Sequence, residues 1–266
     1  MAEIIRTPVC AGMWYPVSKE EIKKYININS SKTDAIACIC PHAGWIYSGN
    51  VAGEVYSKLN NYDTYIIIGP NHTGAGPDVS IFSEGIWKMP LKNVEIDTEI
   101  ANNILKISEF AEQDLSAHIR EHCIEVQIPF LQYFNVNFKI VPIILKTDVF
   151  EVCIDLANAI YTGIKNIKKR ILIIASTDMT HYETLQYAKL QDNFAIEKIL
   201  QLNAEGLVNV VLKKGISMCG VFPTATTILV AEKLGAETVQ LIKYSTSGDI
   251  TGDYDSVVSY AGFIIK

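Results

Sequence analysis

Three of the five histidines in this 266-residue chain stand a few residues past apolar runs, and imidazole is the side chain here with the widest chemical range. His42 follows the run 35–40, His72 follows 64–69, and His181 follows 170–175. Tyr65 to Ile68 is unbroken aromatic and β-branched sequence closed by Gly69 and Pro70, the pattern of a strand buried on both faces of a parallel sheet. In open α/β sheets, ligands bind in the crevice beyond the carboxyl ends of the strands. Three strands that each deliver an imidazole to that edge can build one site. Imidazole completed by carboxylate or thiolate is a donor set for Fe, Cu or Zn. The turns around these histidines also offer backbone amides that can hold an anionic substrate.

Other residues join this group on weaker grounds. Asp178 precedes His181 by three positions; at a helix start it would face and orient that imidazole, while the plain alternative is an N-cap of the following helix. His122 lies beside Glu121 and three before Glu125, on what reads as a helix over 120–129; a solvated face with a local ion pair is the competing reading. Cys219 sits in a loop just ahead of a helix, where the helix dipole lowers a thiol pKa and favours reactivity or metal ligation, against burial as an inert thiol. His118 has no motif around it.

The elements that must position these groups alternate along the chain. Strands are expected at 35–40, 64–69, 138–145, 170–175, 239–244 and 257–265, with 78–82 and 85–89 as a short hairpin or paired edge strands. Pro142 favours a start, bulge or edge for its strand. Helices are expected at 18–25, opened by a Ser18–Glu21 capping box, and near 49–59, 95–107, 149–165, 184–201, 203–213 and 224–234. This alternation predicts an α/β fold, a three-layer α/β/α sandwich with a mixed, largely parallel sheet. Composition shows no seam, which favours one domain over 1–266.

A net charge of −6 argues against a nucleic-acid surface. Lys23-Lys24, Lys168-Lys169-Arg170 and Lys213-Lys214 fall where helices end and complement their dipoles. No apolar run is long enough to span a membrane, and the amino terminus lacks the plan of a signal peptide, so a cytoplasmic location is expected. Six cysteines in that compartment are expected as thiols, with Cys38 and Cys40 packing as small hydrophobes. The glycine-rich stretch 69–76 lacks the Gly-Lys-Ser/Thr of a phosphate loop, and no Gly-x-Ser-x-Gly elbow is present.

Ala11-Gly-Met-Trp-Tyr-Pro16, Pro41-His-Ala-Gly-Trp-Ile-Tyr-Ser-Gly49, Gly69-Pro-Asn-His72, Glu121-His-Cys-Ile-Glu125, Ser176-Thr-Asp-Met-Thr-His181, Met218-Cys-Gly220 and Val257-Val-Ser-Tyr-Ala-Gly262 resemble, in order, the Memo family over nearly the whole chain. The resemblance implies a fold shared with class III extradiol dioxygenases, which use non-haem Fe(II). It implies His42, His72 and Cys219 as metal ligands, with Asp178, His181 and His122 lining the same pocket in catalytic roles. A cysteine then stands where those dioxygenases place a carboxylate. Fe(II) is the expected cofactor, with Cu or Zn as alternatives. The expected partners are an unidentified small-molecule substrate and, from the company prokaryotic members keep, radical-SAM and AMMECR-type proteins. The expected function is a metal-binding redox protein, a dioxygenase-like oxidoreductase if it turns over. The alternatives are a zinc-type hydrolase and a binding protein without turnover, each using the same pocket.

Overall fold

A computed structural model describes residues 4–266. Its strands are β1 (Ile5–Arg6), β2 (Ala37–Cys40), β3 (Thr64–Pro70), β4 (Val79–Ile81), β5 (Ile86–Trp87), β6 (Val94–Ile96), β7 (Ala111–Gln113), β8 (Lys139–Leu145), β9 (Ile171–Ser176), β10 (His181–Glu183), β11 (Val239–Thr246) and β12 (Val257–Ile265). The α-helices are α1 (Lys19–Ile22), α2 (Trp45–Lys58), α3 (Thr98–Ile107), α4 (Ser116–Ile119), α5 (Ile128–Phe134), α6 (Phe150–Ile164), α7 (Leu185–Leu200), α8 (Ala204–Lys214), α9 (Val221–Lys233) and α10 (Gly248–Thr251). The strands form one mixed sheet in the order β1-β5-β6-β8-β3-β9-β2-β12-β10, with β11 on β12 and the β4–β7 pair on β8. Its centre, β8-β3-β9-β2, is parallel throughout. Every residue of β2 and β3 is buried, as their uninterrupted apolar sequences require. Helices α1, α2 and α5 pack on one face, and α3 and α6 to α9 on the other, giving the α/β/α sandwich.

The central register matters for the site. Cys40 lies opposite Ser176, and Ile68 opposite Ala175, so β2, β9 and β3 end almost level. Two residues past each end stand His42, Asp178 and His72.

Four local expectations change. The segments 78–82 and 85–89 do not pair with each other: β4 runs antiparallel to the end of β8 and parallel to β7, while β5 joins β6 and β1. Gly85, at φ +101°, lets β1 approach; a Cβ there would sit 2.2 Å from the Ile4 carbonyl oxygen. The helix expected over 120–129 is a loop, a 3-10 turn at Glu125–Gln127 and then α5. Pro129 opens α5 instead of closing a helix, since a missing N–H costs nothing in the first turn. Pro142 is interior to β8, but at a local gap. On the outer side β6 covers residues 139–140 and β4 covers 143–145, and the Pro142 carbonyl accepts the Phe82 amide there. Within a strand the N–H and C=O of one residue point the same way, so the missing donor faces the change of partner. Helix α2 starts at Trp45, four residues earlier than its apolar spacing suggests, with the Trp45 amide donating to the Trp14 carbonyl at 2.8 Å.

Candidate metal centre and its cleft

His42 is buried, and its Nδ1 lies 3.0 Å from Ser176 Oγ. The partners of that hydroxyl fix the imidazole tautomer. Ser176 Oγ donates its one hydrogen to the Cys123 carbonyl at 2.7 Å and accepts from Gln127 Nε2 at 2.8 Å. Toward His42 it can only accept, so His42 carries its proton on Nδ1 and turns the Nε2 lone pair outward. Burial, reinforced by His72, holds this imidazole well below its ordinary pKa, so it stays neutral.

Glu121 does the same for two more imidazoles. Its Oε1 lies 2.9 Å from His72 Nδ1 and 3.2 Å from His122 Nδ1. It also accepts the backbone amides of His72, His122 and Cys123 at 2.7, 2.9 and 3.1 Å. Burial alone would raise this carboxyl, but the hydrogen bond and charge of His72 outweigh it and hold the group at about 2. As a carboxylate it only accepts, so His72 Nδ1 donates to it, while His122 Nδ1 is a close polar contact of the same oxygen. Burial, followed by the proximity of His42, lowers His122 to about 4. One ring nitrogen from each of His42, His72 and His122 lies within 4.8 Å of the others. A carboxylate behind an imidazole is the arrangement by which proteins set the tautomer and basicity of a metal ligand.

The remaining candidates surround this group. His181 lines the same cleft, of about 680 Å³, together with His42, His72, His122 and Asp178. Its Nδ1 meets the Ser217 carbonyl at 2.8 Å, which again leaves Nε2 as the free lone pair. Asp178 does not orient His181. Its Oδ1 accepts the amides of His42 and Ala43 at 2.8 and 3.3 Å, fixing the loop after β2, and Thr184 rather than Asp178 caps α7. Burial raises the Asp178 carboxyl against the lowering pull of the His42 amide. Cys219 Sγ lies 3.3 Å from His42 Nε2 but falls outside the three-imidazole group. The dipole expectation for Cys219 fails, because burial and then the Asp178 carboxylate push the thiol well above its ordinary pKa. His118 is remote in character: fully buried beside Phe82 and Trp87, with both ring nitrogens unpartnered among the described residues.

Glu125 is not a partner of His122. It is wholly buried and clamps the amino-terminal segment, accepting the amides of Val9 and Cys10 and the Tyr15 hydroxyl and pairing with Arg6 at 2.7 Å. The clamp holds Trp14 over His122, ring centroids 4.3 Å apart. The sequence points to Glu121 only as a neighbour of His122, and it does not single out Ser176, Gln127 or Glu125 as supports of the site. A polar side chain one to five residues from a candidate site residue is the signal that could have found them.

The family model described as Memo-like protein matches residues 6–264. A MEMO1 family protein of Methanobrevibacter smithii is 40% identical over 282 residues, covering 99% of this chain and 100% of its own. Another from Desulfurococcus amylolyticus is 41% identical over 275 residues, covering 96% and 97%. In fold, the chain is similar to the crystal structure of the uncharacterized Escherichia coli K12 protein JW3007, with a TM-score of 0.50 at 11% identity over 86% of this chain and 98% of that one. The near-complete match to the family model and the full-length likeness to these relatives leave one assignment: the chain belongs to the Memo-like protein family.

Proposed function

We propose that this protein is a metal-dependent redox protein whose ion is held by His42, His72 and His122. The observation that supports this most is the convergence of three imidazoles, with Nδ1 of His42 bonded to Ser176, Nδ1 of His72 bonded to Glu121 and Nδ1 of His122 against the same carboxylate. Three nitrogen donors suit iron, copper or zinc, and open positions would remain for a substrate. A bound iron or copper would supply one-electron redox chemistry. The chain's own residues do the rest. Glu121 stays ionised and keeps two ligands aimed, Asp178 fixes the His42 loop, and His181 presents a proton acceptor to the same cleft. Trp14 shields one side from water. The thiol of Cys219, beside His42, is placed to join the ligand set by giving up its proton. Radical-SAM and AMMECR-type proteins are the partners we would test first.

A zinc-type hydrolase is the second reading, because a site of three imidazoles with an open position is also a zinc site. Metal analysis of protein purified without oxygen or added metal separates them. The redox reading predicts iron or copper near one equivalent, lost in His72→Ala. Zinc alone, with iron and copper refused on reconstitution, would overturn it in favour of hydrolysis.

A further inference from the structure

Tyr260 lies in β12, two residues before Gly262, on the face packed against α2. It is 1% exposed, yet it lines the same cleft as His42, Asp178 and His181. Neighbouring polar side chains of the sheet find partners: Ser259 Oγ bonds to Asp192, and so does Tyr244 through its hydroxyl. The Tyr260 hydroxyl has no hydrogen-bond partner among the described residues, and it is not one of the sealed, unsatisfied atoms of the interior. A buried phenol usually finds a partner for its O–H. Here the open direction is the cleft. Burial, then the Asp178 carboxylate, keeps the phenol protonated far above neutral pH, so it acts as a donor.

The same cleft is lined by His42, His72, His122, His181 and Asp178. Hydroxyls of Ser247, Thr251 and Ser256 also line it, and among the described residues no lysine or arginine does. Part of its rim is apolar and aromatic: Trp14, Ile46, Tyr47 and Tyr182 are 38%, 60%, 37% and 78% exposed, beside the exposed Thr251, Asp253 and Ser256. Tyr182 holds φ +59°, a left-handed backbone that a bulky residue rarely adopts and that recurs beside functional sites.

We propose that Tyr260 is a substrate-contacting residue, the hydrogen-bond donor that receives an anionic oxygen of a small molecule whose aromatic or apolar body packs on Trp14, Tyr47 and Tyr182. The assignment rests on the cleft being a ligand site, as proposed above, and goes beyond it by naming a contact and a ligand class. The donor fixes the oxygen at one end of the ligand, while the imidazole wall faces the other.

The test compares 4-nitrophenolate with nitrobenzene, two flat probes that differ in the anionic oxygen, by titration calorimetry at mildly alkaline pH. Wild-type protein should bind the phenolate more tightly than nitrobenzene. Tyr260→Phe should weaken the phenolate about 10–100-fold, the worth of a hydrogen bond to a charged group, and leave nitrobenzene unchanged. Equal weakening of both probes would mean that Tyr260 only shapes the cleft and would overturn the proposal. So would an unchanged phenolate affinity, or no phenolate binding by wild-type protein. Metal uptake and the thermal midpoint are measured on the same samples. Tyr260→Phe should match wild type in both, so a failed metal site and a failed donor are read separately.

Discussion

The two ends of the parallel strands use charge in opposite ways. At the amino ends a hollow of about 420 Å³ is lined by acids and lysines that neutralise one another. Lys169 bridges Asp97 and Glu99 at 3.0 Å each, Lys139 meets Glu95 at 2.9 Å, and Thr64 donates to Asp97 at 2.6 Å. At the carboxyl ends the buried acids are spent on amide and imidazole N–H groups, and the nitrogen lone pairs face the cleft. A hollow whose charges close on themselves is a structural joint, whereas the imidazole-lined one is where the proposed ion would sit. Both ends are polar and concave, so concavity alone does not separate them; the direction of the hydrogen bonds does.

Substitution should expose that division. Asp97→Ala removes the Thr64 bond, the Lys169 pair and the cap of α3, whose Ile100 amide Asp97 accepts. It should cost about 2–3 kcal/mol of stability in denaturant melts and leave metal affinity unchanged. Glu121→Gln should do the reverse. The amide replaces the Oε2 that accepts the His72 backbone amide with an NH2 group and removes the charge behind both imidazoles. Metal affinity should therefore fall about 10–100-fold with a smaller loss of stability. If both variants lost metal equally, the contrast between the two ends would be wrong.

A smaller effect separates His118 from the site histidines. Burial, then Arg6, holds His118 at about 3, and burial with His42 holds His122 at about 4, against about 6.5 in an unfolded chain. As pH falls below about 6.5 the unfolded chain takes up protons that the folded one refuses. Stability is therefore full above that pH and is lost on acidification toward the folded values. Each histidine contributes ~1.4 kcal/mol per pH unit in this window. His118→Phe should remove its own share of that slope, measured by melts from pH 6.5 to 4.5, and leave metal uptake intact. A slope unchanged in this variant would mean that His118 is protonated, or partnered, in the folded protein.

The strands at 64–70 and 171–176 are legible in the sequence because buried parallel strands are written in continuous apolar residues. That pattern also places His42 and His72, since the residues just past the end of a parallel strand lie at the ligand edge. The loop carrying Glu121 and His122 is not legible, because its spacing imitates a helix. The amides that a helix would use are taken instead by the Glu121 carboxylate, a contact between residues 49 apart for His72. Spacing links Asp178 to His181, but its partners come from the neighbouring strand, set by the register of β2 on β9. Tyr260 reads as core from its strand, and only the open end of the cleft distinguishes its hydroxyl.

Three imidazoles, each held from behind, are proposed to share one ion, and everything else about the cleft depends on that sharing. Crystals grown without oxygen and with ferrous iron, recorded at the iron absorption edge, put it to the proof. One anomalous peak is expected, about 2.1 Å from the Nε2 atoms of His42, His72 and His122. Iron bound elsewhere on the chain, or a peak that excludes His122, would contradict it.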